Sequence, residues 1–406
     1  MPESRHTPPA RAWLILVLAG VAGMLFYVDR QTLSVLKTTL KAEWAWNDAD
    51  YGYLVAAFMV PYTLCYLVTG RWIDRWGTRI MMPVFVGLMS VATLGSGLAA
   101  STRELSLWRA LLGVAEAGIM PAVMVAIIHW FPPDRRGTAT AVTKPMFVAG
   151  QILVVPFTAW IATELDWRWA FLFPGLLGIV CALAWWHCDR SVPHANQGPL
   201  PDYRAVLARR EIRGLLLARL VSDPLWFFLM FWQPALLQEK LGLSLSDFGR
   251  LGWIPHAVAL VGIMGLGVGS DWLVRRGHAP ARSRVQVLIG SSLAAPAVLA
   301  LAHVDSVPLA LGLLAVIQVM TASWLSLSGV LMSDLVPVRE VGTTVALMSA
   351  IGAATGSLFN LVAGSLVDAF GYSALLMAGA LLHPVAAFIL WRSYLRGAGD
   401  RRDGAG

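Results

Sequence analysis

The sequence predicts an all-α membrane protein: twelve transmembrane helices in two pseudo-symmetric six-helix bundles, with both termini cytoplasmic. Three observations predict it. Hydrophobic residues make up 57% of the 406 and charged residues only 14%, with a mean hydropathy of +0.65; a soluble domain carries about 25% charged residues. Apolar stretches of about 20 residues, enough to cross bilayer hydrocarbon ~30 Å thick, recur along the whole chain. The loops between them repeat a pattern from one half to the other.

In chain order the spans are expected at 12–36, 51–72, 80–100, 105–130, 137–163, 169–187, 212–240, 248–270, 284–302, 308–335, 341–366 and 372–395. Most connections are short. The stretch DRSVPHANQGPLPDYRAVLARRE is polar and rich in Pro and Arg, so 188–211 reads as a cytoplasmic linker. It separates an N-terminal bundle (1–187) from a C-terminal one (212–396), with a cytoplasmic tail at 397–406. The N-terminus MPESRHTPPARAW lacks a small-residue cleavage site, so the first apolar segment is expected to be retained. Cys65, Cys181 and Cys188 lack metal-like spacing and read as packing thiols.

Basic residues set the orientation, because cytoplasmic loops accumulate Lys and Arg. With the N-terminus inside, inner segments hold most of the 31 basic residues. Among them are Arg71, Arg75, Arg79, Arg135, Arg136, Arg204, Arg209, Arg210, Arg275, Arg276, Arg282, Arg284, Arg392 and Arg396. Outer loops hold Lys37, Lys41, Arg103, Arg168, Lys240 and Arg250. The net charge of +7 is therefore mostly topological, and a nucleic-acid partner is not expected.

The loop after span 2 reads GRWIDRWGTR (70–79) and the loop after span 8 reads GLGVGSDWLVRRG (265–277). Both set small residues before an Asp (Asp74, Asp271) that is followed by arginines. FPPDRRG (131–137) and VPVREVG (336–342) form a second, weaker echo. Two similar halves around a midplane site are an architecture of secondary transporters. The first loop resembles the signature of the major facilitator superfamily. YVDRQTLS in span 1, RALLGVAEAGIMPA in span 4, WFPPDRRGTA after it and SDPLWFFLMFWQP in span 7 narrow the resemblance to the anion:cation symporter family. That family includes hexuronate and galactonate transporters, sialin and the vesicular glutamate transporters. Charges such as Asp74, Arg75, Arg79 and Asp271 are expected to latch the cytoplasmic side rather than touch substrate.

Ionisable groups inside spans cost about 2.5–3.5 kcal/mol each on insertion scales, and they face a cavity or a partner. Asp29 and Arg30 end the apolar run of span 1. Arg109 and Glu116 lie two turns apart on one face of span 4. When all four are ionised their charges cancel. An incoming carboxylate upsets that balance, and a proton on Asp29 or Glu116 restores it while an arginine binds the anion. Asp29 and Glu116 are thus candidates for proton coupling, and Arg30 and Arg109 for anion binding; the resemblance implies the same roles for these positions. Spans 1 and 4 bordering the central cavity is likewise implied by the resemblance.

Softer candidates for the substrate site are Tyr27, Tyr62, Lys144, Gln151, Trp232, Gln318 and Asn360, with Ser323 also at suitable depth. Asn360, in GSLFNLVAG, resembles a family position that contacts sugar acid. Lys144 departs from the family pattern, and snorkelling to the cytoplasm is its alternative reading. His129 and His256 read as packing residues. Asp223 is expected to pair with Arg219 one turn away on span 7.

No phosphate loop, nucleophile elbow, HExxH pair or Cys/His cluster is present. The chain is therefore not expected to be an enzyme or to carry a cofactor or metal. The resemblance implies proton-coupled symport of an organic anion, first a sugar acid such as a hexuronate or aldonate, by a monomer in a bacterial inner membrane. Another carboxylate (aromatic or dicarboxylic), sodium coupling and organic-anion export are the alternatives. A transport-dead sensor is disfavoured by tails too short for a signalling domain.

Overall fold

The structure is a computed structural model that describes residues 10–132, 135–190 and 203–395. Among the described residues the regular structure is helical throughout, with no strand. Residues 1–9, 191–202 of the expected linker and the 397–406 tail lie outside them. The chain divides into two compact units, Met1–Thr39 with Ala57–Gln197, and Leu40–Ala56 with Gly198–Gly406.

In the first unit α1 (Ala10–Val35) packs along α6 (Arg136–Glu164) and against α7 (Trp169–Cys188) and α5 (Ile119–Trp130). Small residues set these close approaches. A Cβ on Gly150 would meet the backbone of Met24, and one on Gly23 the ring of Phe147. A short helix, α2 (Lys37–Trp44), follows α1 where the sequence suggested a loop; it crosses from the first unit into the second. The next helix, α3 (Asp48–Leu98), has 51 residues, about 76 Å at 1.5 Å per residue, far more than one crossing needs. It breaks at Gly77, whose φ of 72° lies where a side chain is strained. Its first residues, up to Ala56, belong to the second unit.

Span 4 departs from the expected single helix over 105–130. It is two helices, α4 (Thr102–Glu116) and α5, interrupted at Ala117–Gly118. Ser101 caps α4 by accepting from the Glu104 amide, and Glu104 in turn accepts from Ala100 N, a reciprocal arrangement close to a capping box. At the interruption the carbonyl of Ala117 accepts from the Thr69 hydroxyl at 3.2 Å. A backbone group released from a helix inside a bilayer needs such a partner. The last residue before the break is Glu116.

The second unit is built around α9 (Arg210–Ala235) and α14 (Val307–Leu335). Packed against them are α11 (Ile254–Arg275), α12 (Pro280–Ser291), α13 (Ala295–Leu301), α15 (Val338–Gly379) and α16 (Leu382–Leu390). Two short helices complete it, α8 (Tyr203–Ala208), inside the expected linker, and α10 (Leu245–Leu251). Gly371, with φ 73°, breaks α15 as Gly77 breaks α3. Among the described residues, ten helical stretches are long and apolar enough to cross a membrane, two of them carrying these glycine breaks. Exposed apolar side chains such as Val258, Val261, Met264 and Val268 line one face of α11, the pattern of a helix facing lipid.

Candidate transport site

Four charged side chains come together in the first unit. Asp29 and Arg30 on α1 are 2% and 3% exposed, and Arg109 and Glu116 on α4 are both 0% exposed. The sequence grouped each acid with the arginine on its own helix; the structure pairs them across helices. Arg30 Nε donates to Glu116 Oε2 at 2.5 Å, and Arg109 Nη1 donates to the Asp29 backbone carbonyl at 3.1 Å. Asp29 Oδ1, Glu116 Oε1 and Arg30 Nη2 have no hydrogen-bond partner among the described residues.

Aromatic rings complete the enclosure. The Arg30 guanidinium lies 3.9 Å from the Phe26 ring centroid, 4.4 Å from Tyr62 and 5.1 Å from Phe58, and Arg109 lies 4.8 Å from Phe58. Phe58 and Tyr62 stack one turn apart on α3 at 5.7 Å. Each ring presents its negative face to a cation, worth about 0.5–2 kcal/mol according to desolvation. The cage therefore encloses both guanidiniums against aromatic faces. Gly113, between Arg109 and Glu116, lets α4 approach α3, since a Cβ there would run into the Phe58 carbonyl.

Of the softer candidates in this unit, Tyr62 is in the cage, and the half-buried Tyr27 packs edge-on against Phe26 at 5.2 Å. Gln151 is half-buried on α6, and Lys144 is exposed on the same helix, outside the aromatic cage.

The second unit holds the others. Trp232 Nε1 donates to Asn360 Oδ1 at 2.9 Å, and Asn360 Nδ2 donates to the Gly356 carbonyl at 2.8 Å; both side chains are fully buried. Tyr51 packs edge-on against Trp232 at 4.9 Å. Gln318 donates to Gln233 Oε1 and lies 3.5 Å from His256 Nε2. Ser323 bonds back to the Val319 carbonyl, four residues earlier. As expected, Arg219 pairs with Asp223, at 2.7 Å; it also donates to Ser328 Oγ at 2.6 Å. Asp271 accepts from Arg284 at 2.5 Å.

Sequence reasoning missed Phe26 and Phe58, which are indistinguishable from packing residues in an apolar run. It also passed over Gln233, whose only signal was a polar residue before Pro234 in a span and which accepts from Gln318.

The family model described as Major Facilitator Superfamily matches residues 19–359. The chain belongs to the major facilitator superfamily. Among curated proteins it is similar to a D-galactonate transporter of Escherichia coli O6:H1, at 28% identity over 94% of this chain and 96% of the relative. A hexuronate transporter of Escherichia coli K12 is 26% identical over 93% of each chain. A probable galactarate/D-glucarate transporter of Bacillus subtilis is 23% identical over 94% of this chain and 91% of the relative. Among solved structures, a bacterial homolog of the human lysosomal transporter Spinster superposes with a TM-score of 0.82, at 20% identity over 96% of this chain and 99% of that one. A D-xylose–proton symporter gives 0.77 at 16% identity, over 93% and 97%. The superfamily consists of membrane transporters, and the chain is a multi-pass transporter rather than an enzyme.

Proposed function

We propose that this chain is a proton-coupled symporter of an organic anion of the sugar-acid class, working by alternating access in a bacterial inner membrane. In this reading it is a monomer that crosses twelve times, each glycine-broken helix supplying two crossings, with both termini in the cytoplasm. Support for the substrate class comes from the names of its relatives, which are galactonate, hexuronate and glucarate transporters. Support for the mechanism comes from one observation: the Arg30–Glu116 ion pair, fully enclosed, with Asp29 and Arg109 in the same cluster.

The four ionised groups sum to zero. A carboxylate entering alone leaves a net negative charge in a low-dielectric enclosure, which is costly. A proton taken up by Glu116 cancels it and releases Arg30 Nε from its partner. Arg30 then binds the carboxylate through a planar fork suited to it, and Arg109 adds a second positive charge. Asp29 is the alternate proton acceptor, its Oδ1 having no hydrogen-bond partner among the described residues. Anion and proton each favour the other's binding, and this mutual favour is the coupling. Arg30, Arg109, Tyr27 and Tyr62 bind the anion in this reading. Gln151 is a secondary contact, and the exposed Lys144 is not needed for binding in this reading.

Uptake by purified protein in proteoliposomes tests this. An inward proton gradient is expected to drive labelled D-galactonate or a hexuronate to accumulate, and a protonophore to abolish it. Accumulation driven equally by sodium without a proton gradient would overturn proton coupling.

A further inference from the structure

The end of α4 carries a feature that the charge mechanism does not use. In a continuous helix the Ala117 carbonyl would accept from the amide four residues on. Residue 121 is proline, which has no N–H and whose ring crowds the carbonyl four residues back. That one residue accounts for the interruption: α4 ends at Glu116, and α5 begins at Ile119. The orphaned carbonyl turns to α3, where it accepts from the Thr69 hydroxyl at 3.2 Å. Thr69 is 0% exposed, and its one hydroxyl hydrogen is shared with the Tyr66 carbonyl at 3.3 Å.

The backbone around the interruption is pinned to the same helix. A Cβ on Gly118 would run into the Phe85 ring, and one on Gly113 into the Phe58 carbonyl. Thr69 lies two turns beyond Tyr62 on one face of α3. The Tyr62 ring stands 4.4 Å from the Arg30 guanidinium, and Thr69 bonds the backbone one residue past Glu116. A single helix therefore places both partners of the ion pair, the cation by a ring and the acid through the chain that carries it.

Coupling depends on that placement. Proton and anion move together only if protonation of Glu116 is what releases Arg30. Were the end of α4 able to swing, Glu116 could leave Arg30 while still ionised, and the anion would bind without a proton. We propose that Thr69, acting through the Ala117 carbonyl, is the positioning residue that makes proton uptake obligatory, and that Pro121 creates the need for it. The inference rests on the proton-coupled reading above and adds the residue that enforces it.

The test uses full-length protein in proteoliposomes under an inward gradient of one pH unit, with D-galactonate as the probe. The plateau of accumulation is the readout, because it reports coupling and not the amount of folded protein. Thr69→Val keeps the shape and removes the hydroxyl; its plateau is expected to fall from about tenfold to about twofold or less. Equilibrium binding of D-galactonate to the purified variant should stay within about threefold of wild type, since both arginines remain. Thr69→Ser, which keeps the donor, is expected to hold the plateau. Pro121→Ala returns an amide to the Ala117 carbonyl, so Thr69→Val should lower the unfolding temperature less in that background than alone. A role in stability alone would lower the unfolding temperature of Thr69→Val and leave its plateau at tenfold. That result overturns the inference and leaves the proton-coupled reading standing, as would an equal loss of unfolding temperature in both backgrounds. Loss of binding together with accumulation also overturns it, assigning Thr69 to the anion site. A wild type that accumulates nothing under the gradient overturns both. Thr69→Ala, read the same way, serves should Thr69→Val fail to fold.

Discussion

Replacing Glu116 by Gln keeps the side chain's volume and an acceptor for Arg30 Nε, and removes only the negative charge and the capacity to bind a proton. The structure sets the scale of the damage. The pair is 2.5 Å apart with neither side chain more than 4% exposed, and removing one partner of such a pair costs about 3–5 kcal/mol. The Gln amide oxygen still accepts from Arg30 Nε, and the rings at 3.9, 4.4 and 5.1 Å face the cation as before, so the variant should fold with a loss no larger than the low end of that range, about 3 kcal/mol. Its functional loss is of a different kind. One proton moving down a gradient of one pH unit releases about 1.4 kcal/mol, which sustains a tenfold accumulation of anion at one proton per anion. In proteoliposomes under that gradient the wild type is expected to concentrate D-galactonate about tenfold. Glu116→Gln should equilibrate it to a ratio of about one. Exchange of labelled for unlabelled anion needs no net proton movement and should survive. Tenfold accumulation by the variant would remove Glu116 from the coupling, and loss of exchange together with accumulation would assign it to anion binding instead.

Three further outcomes follow from the same geometry. Gly113→Ala should destabilise the protein by about 1–3 kcal/mol in thermal unfolding and weaken anion binding, because its Cβ meets Phe58 backbone rather than a flexible side chain. Arg219→Ala should cost about 3–5 kcal/mol by stranding Asp223, whereas an apolar Arg219→Met, Asp223→Leu double variant should recover most of that loss; urea or thermal unfolding compares them. Lys144→Ala should leave anion affinity within about twofold in the same binding assay, since the side chain is exposed and outside the aromatic cage.

Much of this was legible in the sequence because a bilayer makes burial visible. A charge within twenty apolar residues needs a reason, and Asp29, Arg30, Arg109 and Glu116 stood out on that ground alone. Which acid meets which arginine was not legible, because spacing along a helix fixes a face and not a partner on another helix. Arg30 reaches Glu116 across helices, and Arg109 reaches a backbone carbonyl that no residue pattern announces. The break after Glu116 was equally hidden: Ala117–Gly118 joins Glu116 to the apolar run IMPAVMVAII without a turn pattern, and the helix stops where Thr69, on another helix, donates to the Ala117 carbonyl. Neutral polar groups were the hardest to rank. Asn360 drew attention and turns out to be bonded to Trp232. Gln233, passed over, accepts from Gln318, and satisfaction of a hydrogen bond depends on neighbours far away in sequence.

The central claim is that anion and proton enter one balanced cluster together, and proton uptake on binding measures it directly. Detergent-solubilised protein in weakly buffered solution, near neutral pH and without sodium, would be titrated with D-galactonate while released or absorbed protons are counted. The account predicts uptake of about one proton per anion bound, lost in Glu116→Gln or Asp29→Asn. Saturable binding that takes up no proton would contradict it.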